Sequence, residues 1–496
     1  MTAMALAQED APTNLRARTA RGTLINAIFM VAVSMLALVQ GVALARLLSP
    51  ETYGLWGMLM AAFITLLTLG SVGIDDKYIQ QDDEDQQRAF EIAFTIQILL
   101  APVFVVLLLI GIPLLALVYG ETRIIGPGLA IAFVIPALAL QMPLWAHYRR
   151  MDFLRQRLLQ SIDPVMTFIA TITLVLAGLE LWGLVLGAMI GSFAASAAMV
   201  ATSPYKLRWR FDRDALREYR KFSTPLFVAA GSTVLLVQVP VIVGSNVLGV
   251  TAVAAMALAG NISQFTNKVE DLVTGSMYPA ICRVKDRTDL LFEAFWKSNR
   301  LALLWAAPLG AAAPLFVGDF VHHVIGEKWR FAAPLIGIYG FLAVFSQIAF
   351  NWTAFFRAVG DTKPIATASV VNTAAVIAFG VPLLVLEGVT AFGVGVAVAT
   401  VIGVGLRLWY VRRLFPGMPF VSHIARGILP TVPGVVAVLA LRLADPGGRT
   451  VGRVALEAGL YTVLIVLTTW FSERSLLRES VSLLRGGARL REAPVA

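Results

Sequence analysis

The stretch AVAAMALAGNISQFTNKVEDLVTGSMYPAI, residues 252–281, decides how the chain is read, because it is long enough to cross a bilayer and polar in its middle. At about 1.5 Å per residue a helix of this length spans roughly 45 Å, more than the ~30 Å hydrocarbon core. Successive side chains turn by about 100°, so Asn261, Gln264, Lys268 and Asp271 share one arc of roughly 80°, and Ile262, Phe265, Val269 and Leu272 form a separate apolar arc. An ionisable group at membrane depth costs several kcal/mol unless a watery cavity or a partner receives it, so the arc predicts a cavity-lining, functional helix. The other reading lets the helix emerge into water near Asn267 with interfacial charges. The run LVTGSMYPAIC, which still follows Asp271 before the solvated RVKDRTD, favours the cavity.

Composition frames that stretch. Of 496 residues, 58% are hydrophobic and only 14% charged, with a mean hydropathy of +0.77, whereas roughly a quarter of an ordinary soluble domain is charged. The chain reads as an all-α polytopic membrane protein. A single cysteine, Cys282, excludes an intrachain disulfide and a cysteine metal cluster. The histidines His147, His322, His323 and His423 are scattered, and the adjacent pair cannot share a helical face, so no metal or other cofactor is read. The polar start leads straight into a hydrophobic segment of about 23 residues, too long for a cleaved signal peptide.

Working outward, apolar segments recur at regular intervals and amount to about fourteen transmembrane helices. They include Tyr53 to Ile74, Ile124 to Trp145, Phe222 to Ser245, Ala252 to Ile281 and Ala332 to Phe356. With the N-terminus in the cytoplasm, about 32 lysines and arginines fall inside against about 7 outside, with Lys268 inside a span, so the positive-inside rule puts both termini in the cytoplasm. The net charge of +9 then follows from topology and anionic membrane lipid, and no nucleic acid is required. Outer links are too short for a catalytic domain.

Weak repeats set the organisation. Leu38-Val39-Gln40 recurs as Leu236-Val237-Gln238, Tyr148-Arg149 as Phe356-Arg357, and Gly178, Trp182 and Gly183 as Gly388, Phe392 and Gly393. All are in register with six spans per unit, which predicts two pseudo-symmetric six-helix lobes with a substrate site between them, plus two C-terminal helices. The expected divisions are a cytoplasmic segment 1–21, an N-lobe 22–204, a basic linker 205–221, a C-lobe 222–411, helices 13 and 14 at 412–471, and a cytoplasmic tail 472–496. The linker, YKLRWRFDRDALREYRK, reads as a solvated connector, with a place on the membrane surface as the alternative.

Several motifs carry packing rather than chemistry. Gly183, Gly187 and Gly191 form an i, i+4, i+8 ladder that lets two membrane helices approach closely. Pro102, Pro136, Pro240, Pro308 and Pro382 predict kinks. The acidic run Asp82-Asp83-Glu84-Asp85 reads as a solvated link that favours a helix start, since no nucleotide-binding fold accompanies it. Asp75, Asp76 and Lys77 either line the cytoplasmic mouth of a cavity or mark the interface. There is no phosphate-cradling loop, serine elbow or zinc motif, so the chain is not read as an enzyme.

The run ARLLSPETYG, residues 45–54 and containing Arg46, resembles the first-hairpin signature of polysaccharide transporters in the multidrug/oligosaccharidyl-lipid/polysaccharide exporter superfamily. Gly73-Ile74 with Tyr78-Ile79-Gln80-Gln81, Tyr278-Pro279-Ala280, and Gly326-Glu327-Lys328-Trp329 with Pro334 are similar to Wzx-type flippases of the exopolysaccharide branch, including succinoglycan-like and colanic-acid-like pathways. The resemblance covers residues 15 to 420. It implies an inner-membrane flippase that moves undecaprenyl-pyrophosphate-linked oligosaccharide by alternating access for exopolysaccharide or lipopolysaccharide. Membrane lipids, a polysaccharide polymerase and chain-length proteins are the implied partners. Relatives carry arginines in the first helices and early in the eighth, where this chain has Gln40 and Asn261, with Arg46 at a span's end.

The expected substrate-binding residues are Lys268 as anion partner, Asn261 and Gln264 as hydrogen-bonding partners of sugar or phosphate, and Asp271 as the neutralising carboxylate of the empty site. Arg46 joins them. Gln40 and Gln238 either face the cavity or bond helices together. The rival expectation is a cation-coupled multidrug exporter of the same fold. A membrane polymerase or glycosyltransferase is disfavoured by the short outer links and the missing nucleotide site.

Overall fold

The computed structural model describes residues 11–70, 74–80, 83–150, 152–263, 281, 287–361, 363–445 and 447–478. The described residues form helices and turns with no strand, and eleven of the described helices are long and apolar enough to cross a membrane. The chain divides into two compact units, one of residues 1–257 with 384–388 and one of 258–383 with 389–496.

The first unit opens with α1 (Ala11–Leu47) and α2 (Pro50–Gly70). The SPETYG motif explains the turn between them. The Ser49 hydroxyl accepts from the Thr52 backbone N–H at 3.1 Å, Pro50 stands at the first helical position where no donor is needed, and Tyr53 is buried. Gly54 faces the Val250 carbonyl so closely that a Cβ would sit 2.3 Å from its oxygen. In this motif the glycine is a packing residue.

Next comes α3 (Gln86–Tyr119), capped by Asp85, whose carboxylate accepts from the Arg88 N–H at 3.0 Å. The described part of the acidic run thus starts a helix, as its sequence suggests. The expected span at Ile124 to Trp145 corresponds to α4 (Thr122–Arg149), which is broken into short pieces at Ala132–Phe133 and Gln141–Met142. Pro136 and Pro143 cannot donate to the preceding turn, and the chain answers with tightened bonds such as Phe133 N–H to Ala130 O at 3.1 Å and Gln141 N–H to Leu138 O at 3.1 Å.

Helices α5 (Phe153–Leu176) and α6 (Glu180–Ala201) pack along the glycine ladder. A Cβ on Gly183 would lie 3.0 Å from the Val175 nitrogen, on Gly187 2.0 Å from the Thr171 hydroxyl, and on Gly191 1.9 Å from the Thr167 hydroxyl. The turn between α5 and α6 needs Gly178 at φ +88, and the turn at Gly388 in the later matching motif has the same φ of +88. That left-handed conformation accounts for the recurrence of glycine there.

Helix α7 spans Arg213–Leu248 and starts inside the expected 205–221 linker. The cause is Asp212, whose carboxylate accepts from Asp214 N–H at 3.0 Å and Ala215 N–H at 3.1 Å. Only the stretch before it is a connector. Helix α8, Val250–Ser263, holds the described part of the 252–281 stretch.

The second unit contains α9 (Thr288–Ile325), α10 (Glu327–Ser346), α11 (Lys363–Glu387) up to its last turn, α12 (Val389–Leu414), α13 (Phe420–Ala444) and α14 (Val451–Ser472). Helix α9 ends as a π-helix over Phe320–Ile325. It meets α10 through small residues: a Cβ on Gly310 would lie 2.9 Å from the Gly340 carbonyl oxygen. The span expected from Ala332 to Phe356 is interrupted after Ser346, and the chain resumes as a helix at Trp352–Ala358. Ala349, at φ +55, takes the break. Around it Phe295, Phe355 and Phe415 form an aromatic core in which Phe355 packs edge-on to the other two, with Phe295 5.3 Å from each of the other two ring centres.

Candidate functional site

In the first unit the close approach at Gly191 creates a polar site in the middle of α5. Asp163 stands near the helix midpoint, beside Pro164. Its two carboxylate oxygens accept from the hydroxyls of Thr167 at 3.0 Å and Ser192 at 2.9 Å. A residue with a Cβ at position 191 would hold Ser192 away, so the small-residue ladder also builds the site. Both of these partners are neutral, and among the described residues the carboxylate makes no salt bridge. Such a group in a spanning helix is a functional candidate by default, because burying it costs free energy that packing alone does not require.

Gln238 on α7 is 7% exposed, and its amide is fully engaged within the first unit. Its carbonyl accepts from Tyr119 Oη at 2.5 Å, and its nitrogen donates to the Ala61 carbonyl at 3.2 Å and the Thr65 hydroxyl at 2.8 Å. The side chain therefore joins α2, α3 and α7. Gln40 is half-buried on α1, and Arg46 is exposed at the end of α1. Asn261 is exposed on α8, whereas Gln264, Lys268 and Asp271 lie outside the described residues.

The connector before α7 is stapled to α3 rather than loose. Lys206 N–H donates to Gln87 at 3.0 Å, Arg210 N–H donates to the Thr95 hydroxyl at 2.7 Å, and the Arg210 guanidinium meets the buried Glu91 carboxylate at 2.7 Å. That carboxylate holds the Arg210 guanidinium above its ordinary range. Tyr205 lies under the Arg150 guanidinium at 4.5 Å. Lys77 pairs with Glu218 at 3.3 Å, which gives the end of the second expected span a structural partner.

The second unit has its own buried polar chain. Arg300 on α9 donates to Glu473 at 2.7 Å and to His423 Nδ1 at 3.1 Å; His423 Nε2 meets Asn299 Oδ1 at 3.1 Å; and Asn299 donates to the Gln347 carbonyl at 3.0 Å. Arg300, His423 and Asn299 are all at most 3% exposed. Because Arg300 can only donate, the neutral His423 carries its proton on Nε2 and passes the bond on to Asn299. The chain ends on the carbonyl exposed by the break in α10 and ties α13 and the end of α14 to α9.

Asp163 and Arg300 escaped the sequence reading. The signal for Asp163 was present: it is a lone acid just inside the start of an apolar segment, 161–179. Arg300 lies close enough to a cytoplasmic link to pass for an interfacial cation.

The profile of the family described as polysaccharide biosynthesis protein matches residues 43–334. The succinoglycan biosynthesis transport protein ExoT of Rhizobium meliloti is 22% identical over 89% of this chain and 90% of its own length. The lipopolysaccharide biosynthesis protein WzxC of Escherichia coli is 23% identical over 65% of this chain and 66% of its own. Among solved structures, the lipid II flippase MurJ in an inward closed conformation superposes with a TM-score of 0.72 at 14% identity, covering 91% of this chain and 99% of that one. An inward-facing multidrug resistance MATE family transporter gives 0.64 at 13% identity, covering 78% and 98%. At these identities the structural likeness establishes the fold.

Proposed function

Because this chain belongs to the polysaccharide biosynthesis protein family and is similar to a succinoglycan biosynthesis transport protein and a lipopolysaccharide biosynthesis protein, we propose that it flips undecaprenyl-pyrophosphate-linked oligosaccharide repeat units across the bacterial inner membrane. The route is alternating access, and the products serve exopolysaccharide or lipopolysaccharide synthesis. The observation that carries this reading is the near end-to-end likeness to a succinoglycan transport protein, joined to the fold of a lipid-linked precursor flippase. The chain makes about fourteen spans, two six-helix lobes at 22–204 and 222–411 with helices 13 and 14 appended, and keeps both termini in the cytoplasm.

Lys268 attracts the pyrophosphate, Asn261 and Gln264 bond sugar or phosphate, and Asp271 neutralises Lys268 when the site is empty. Gln40, Gln238 and Arg46 complete the proposed set. A polysaccharide polymerase and chain-length proteins receive the product.

Deleting the gene is expected to abolish surface polysaccharide and strand lipid-linked units on the inner leaflet, with drug sensitivity little changed. One observation favours the rival, a cation-coupled multidrug exporter: the carboxylate of Asp163 in mid-span. Normal polymer together with lowered drug resistance would establish that rival.

A further inference from the structure

The second unit holds a cavity of about 660 Å³ where α9 ends, α10 begins and α13 turns toward α14. Its charged lining is Asp319, His322, Glu327, Arg330, Arg442 and Arg449, and Pro314 and Leu315 supply an apolar wall. On the reading that both termini are cytoplasmic, these helix ends face the outer side. Asp319 lies six residues before Ile325, the end of α9, or about 9 Å below it. With the helix end at the outer surface, that depth brings the base of the cavity to about the inner edge of the headgroup layer, roughly 5–8 Å thick on each side of the hydrocarbon core.

The base of the cavity is rigid, with its arginines held by carboxylates. Asp319 and Glu457 are 5% and 1% exposed. Arg449 bonds Asp319 through two nitrogens and reaches Glu457 at 3.1 Å; Arg442 donates to Glu457 at 2.9 Å and to the Leu315 carbonyl at 2.8 Å; Arg453 approaches Glu457 at 3.4 Å. Three arginines thus share two buried carboxylates, while the other partner of Arg453, Asp445, is 75% exposed and solvated. The Phe316 ring 5.2 Å from Arg442 and the hydrogen bond that His323 Nε2 donates to the Arg449 carbonyl further fix the two arginines.

The rim differs. Glu327 is engaged by His322 and also feels the Arg330 charge, while the Arg330 guanidinium makes no hydrogen bond or salt bridge among the described residues. It stands exposed at the mouth of the cavity. A cavity with arginines fixed in its base and, at its mouth, a guanidinium that makes no hydrogen bond among the described residues suits an oxyanion, for which the planar fork of arginine has matching geometry. The volume is within the range that holds a small polar ligand.

We propose that this pocket binds the phosphate of a lipid in the outer leaflet, with Arg330 as the residue that closes on it. The phosphate has two candidate carriers, an ordinary anionic phospholipid and a polyprenyl diphosphate. They present the same chemistry at the same depth.

The test uses the full chain released from detergent for native mass spectrometry, with phosphatidylglycerol, phosphatidylcholine and undecaprenyl diphosphate as probes. The native protein is expected to retain one phosphatidylglycerol more than the Arg330→Gln variant. Its affinity for that lipid should be about tenfold higher, the effect of one charge-assisted hydrogen bond. Arg330→Lys should keep most of the binding. Arg217→Gln, at the other end of the spans, should change nothing, and all variants should melt alike because Arg330 is exposed. Displacement of the extra phosphatidylglycerol by undecaprenyl diphosphate identifies the polyprenyl carrier, and failure to displace it identifies the phospholipid; both support the site. Equal retention by native protein and Arg330→Gln, or phosphatidylcholine held as well as phosphatidylglycerol, would overturn it. Gene deletion tests the flippase reading separately, since loss of this lipid leaves that result untouched.

Discussion

Gly191 and Asp163 meet where α6 crosses α5, so closely that a Cβ on the glycine would lie 2.8 Å from the aspartate's carbonyl oxygen and 2.9 Å from its carboxylate. The contact sets both the helix spacing and the reach of the Ser192 hydroxyl to the Asp163 carboxylate. Gly191→Ala should therefore destabilise the protein by about 1–3 kcal/mol, the range for overpacking a tight contact. Gly111→Ala, in α3 with nothing within 4 Å of its added Cβ, should be neutral or slightly stabilising. Thermal unfolding of the purified variants decides it, and equal melting of the two would remove the proposed steric role.

Gln238 tests binding against packing. Gln238→Leu deprives Tyr119, Ala61 and Thr65 of their shared partner, and leaving such buried groups unbonded costs about 1–3 kcal/mol. A lowered melting temperature with transport retained in proportion to protein level identifies interhelical bonding. Full stability with lost export identifies a substrate contact.

Buried Arg300 and part-buried Glu473, 2.7 Å apart, should behave as a unit. Glu473→Gln leaves the Arg300 charge without its carboxylate and is expected to cost about 3–5 kcal/mol. Adding Arg300→Met should recover much of the loss, because an apolar side chain of similar length needs no counter-charge. A double variant no more stable than the single, measured by chemical unfolding, would show that the pair does not govern the attachment of α14.

Topology follows from the distribution of basic residues. Reporter fusions after Gly120, Gly326 and Asp445 should report the periplasm, and fusions after Asp212 and Gly486 the cytoplasm. A periplasmic signal at Asp212 would overturn the two-lobe scheme.

Lys268 is the last test. Lys268→Arg should keep much of the export, Lys268→Ala should lose most of it, and Lys268→Glu nearly all, at normal membrane levels. If the lysine only steadies Asp271 three residues on, the double change Lys268→Ala with Asp271→Ala should restore export. A substrate-binding lysine leaves that double variant inactive.

Membrane class was legible from the sequence because hydropathy is a local property: an apolar run of sufficient length must satisfy its backbone internally, and a helix does so without knowledge of its neighbours. The glycine ladder was legible for the same reason, since one helical face is written in residues four apart. Helix starts at Asp85 and Asp212 also depend on donors two to three residues away; the first was recognised, and the second was passed over in favour of a longer linker. The breaks in α4 and α10 were only half-visible. Pro136 marks one, but nothing local distinguishes Ala349 from any other alanine, and its φ of +55 is imposed by the packing around it.

By itself, then, the sequence determined that the chain is built of membrane-spanning helices and that the face bearing the glycine ladder had room to touch another. Only the tertiary structure decided which polar groups satisfy one another. Gln238 bonds a carbonyl 177 residues away, Arg300 a carboxylate 173 residues away, and Arg449 one 130 residues away. In a bilayer a polar side chain finds its partner through the crossing of helices, and a crossing is a property of three-dimensional packing that no periodicity along one helix records.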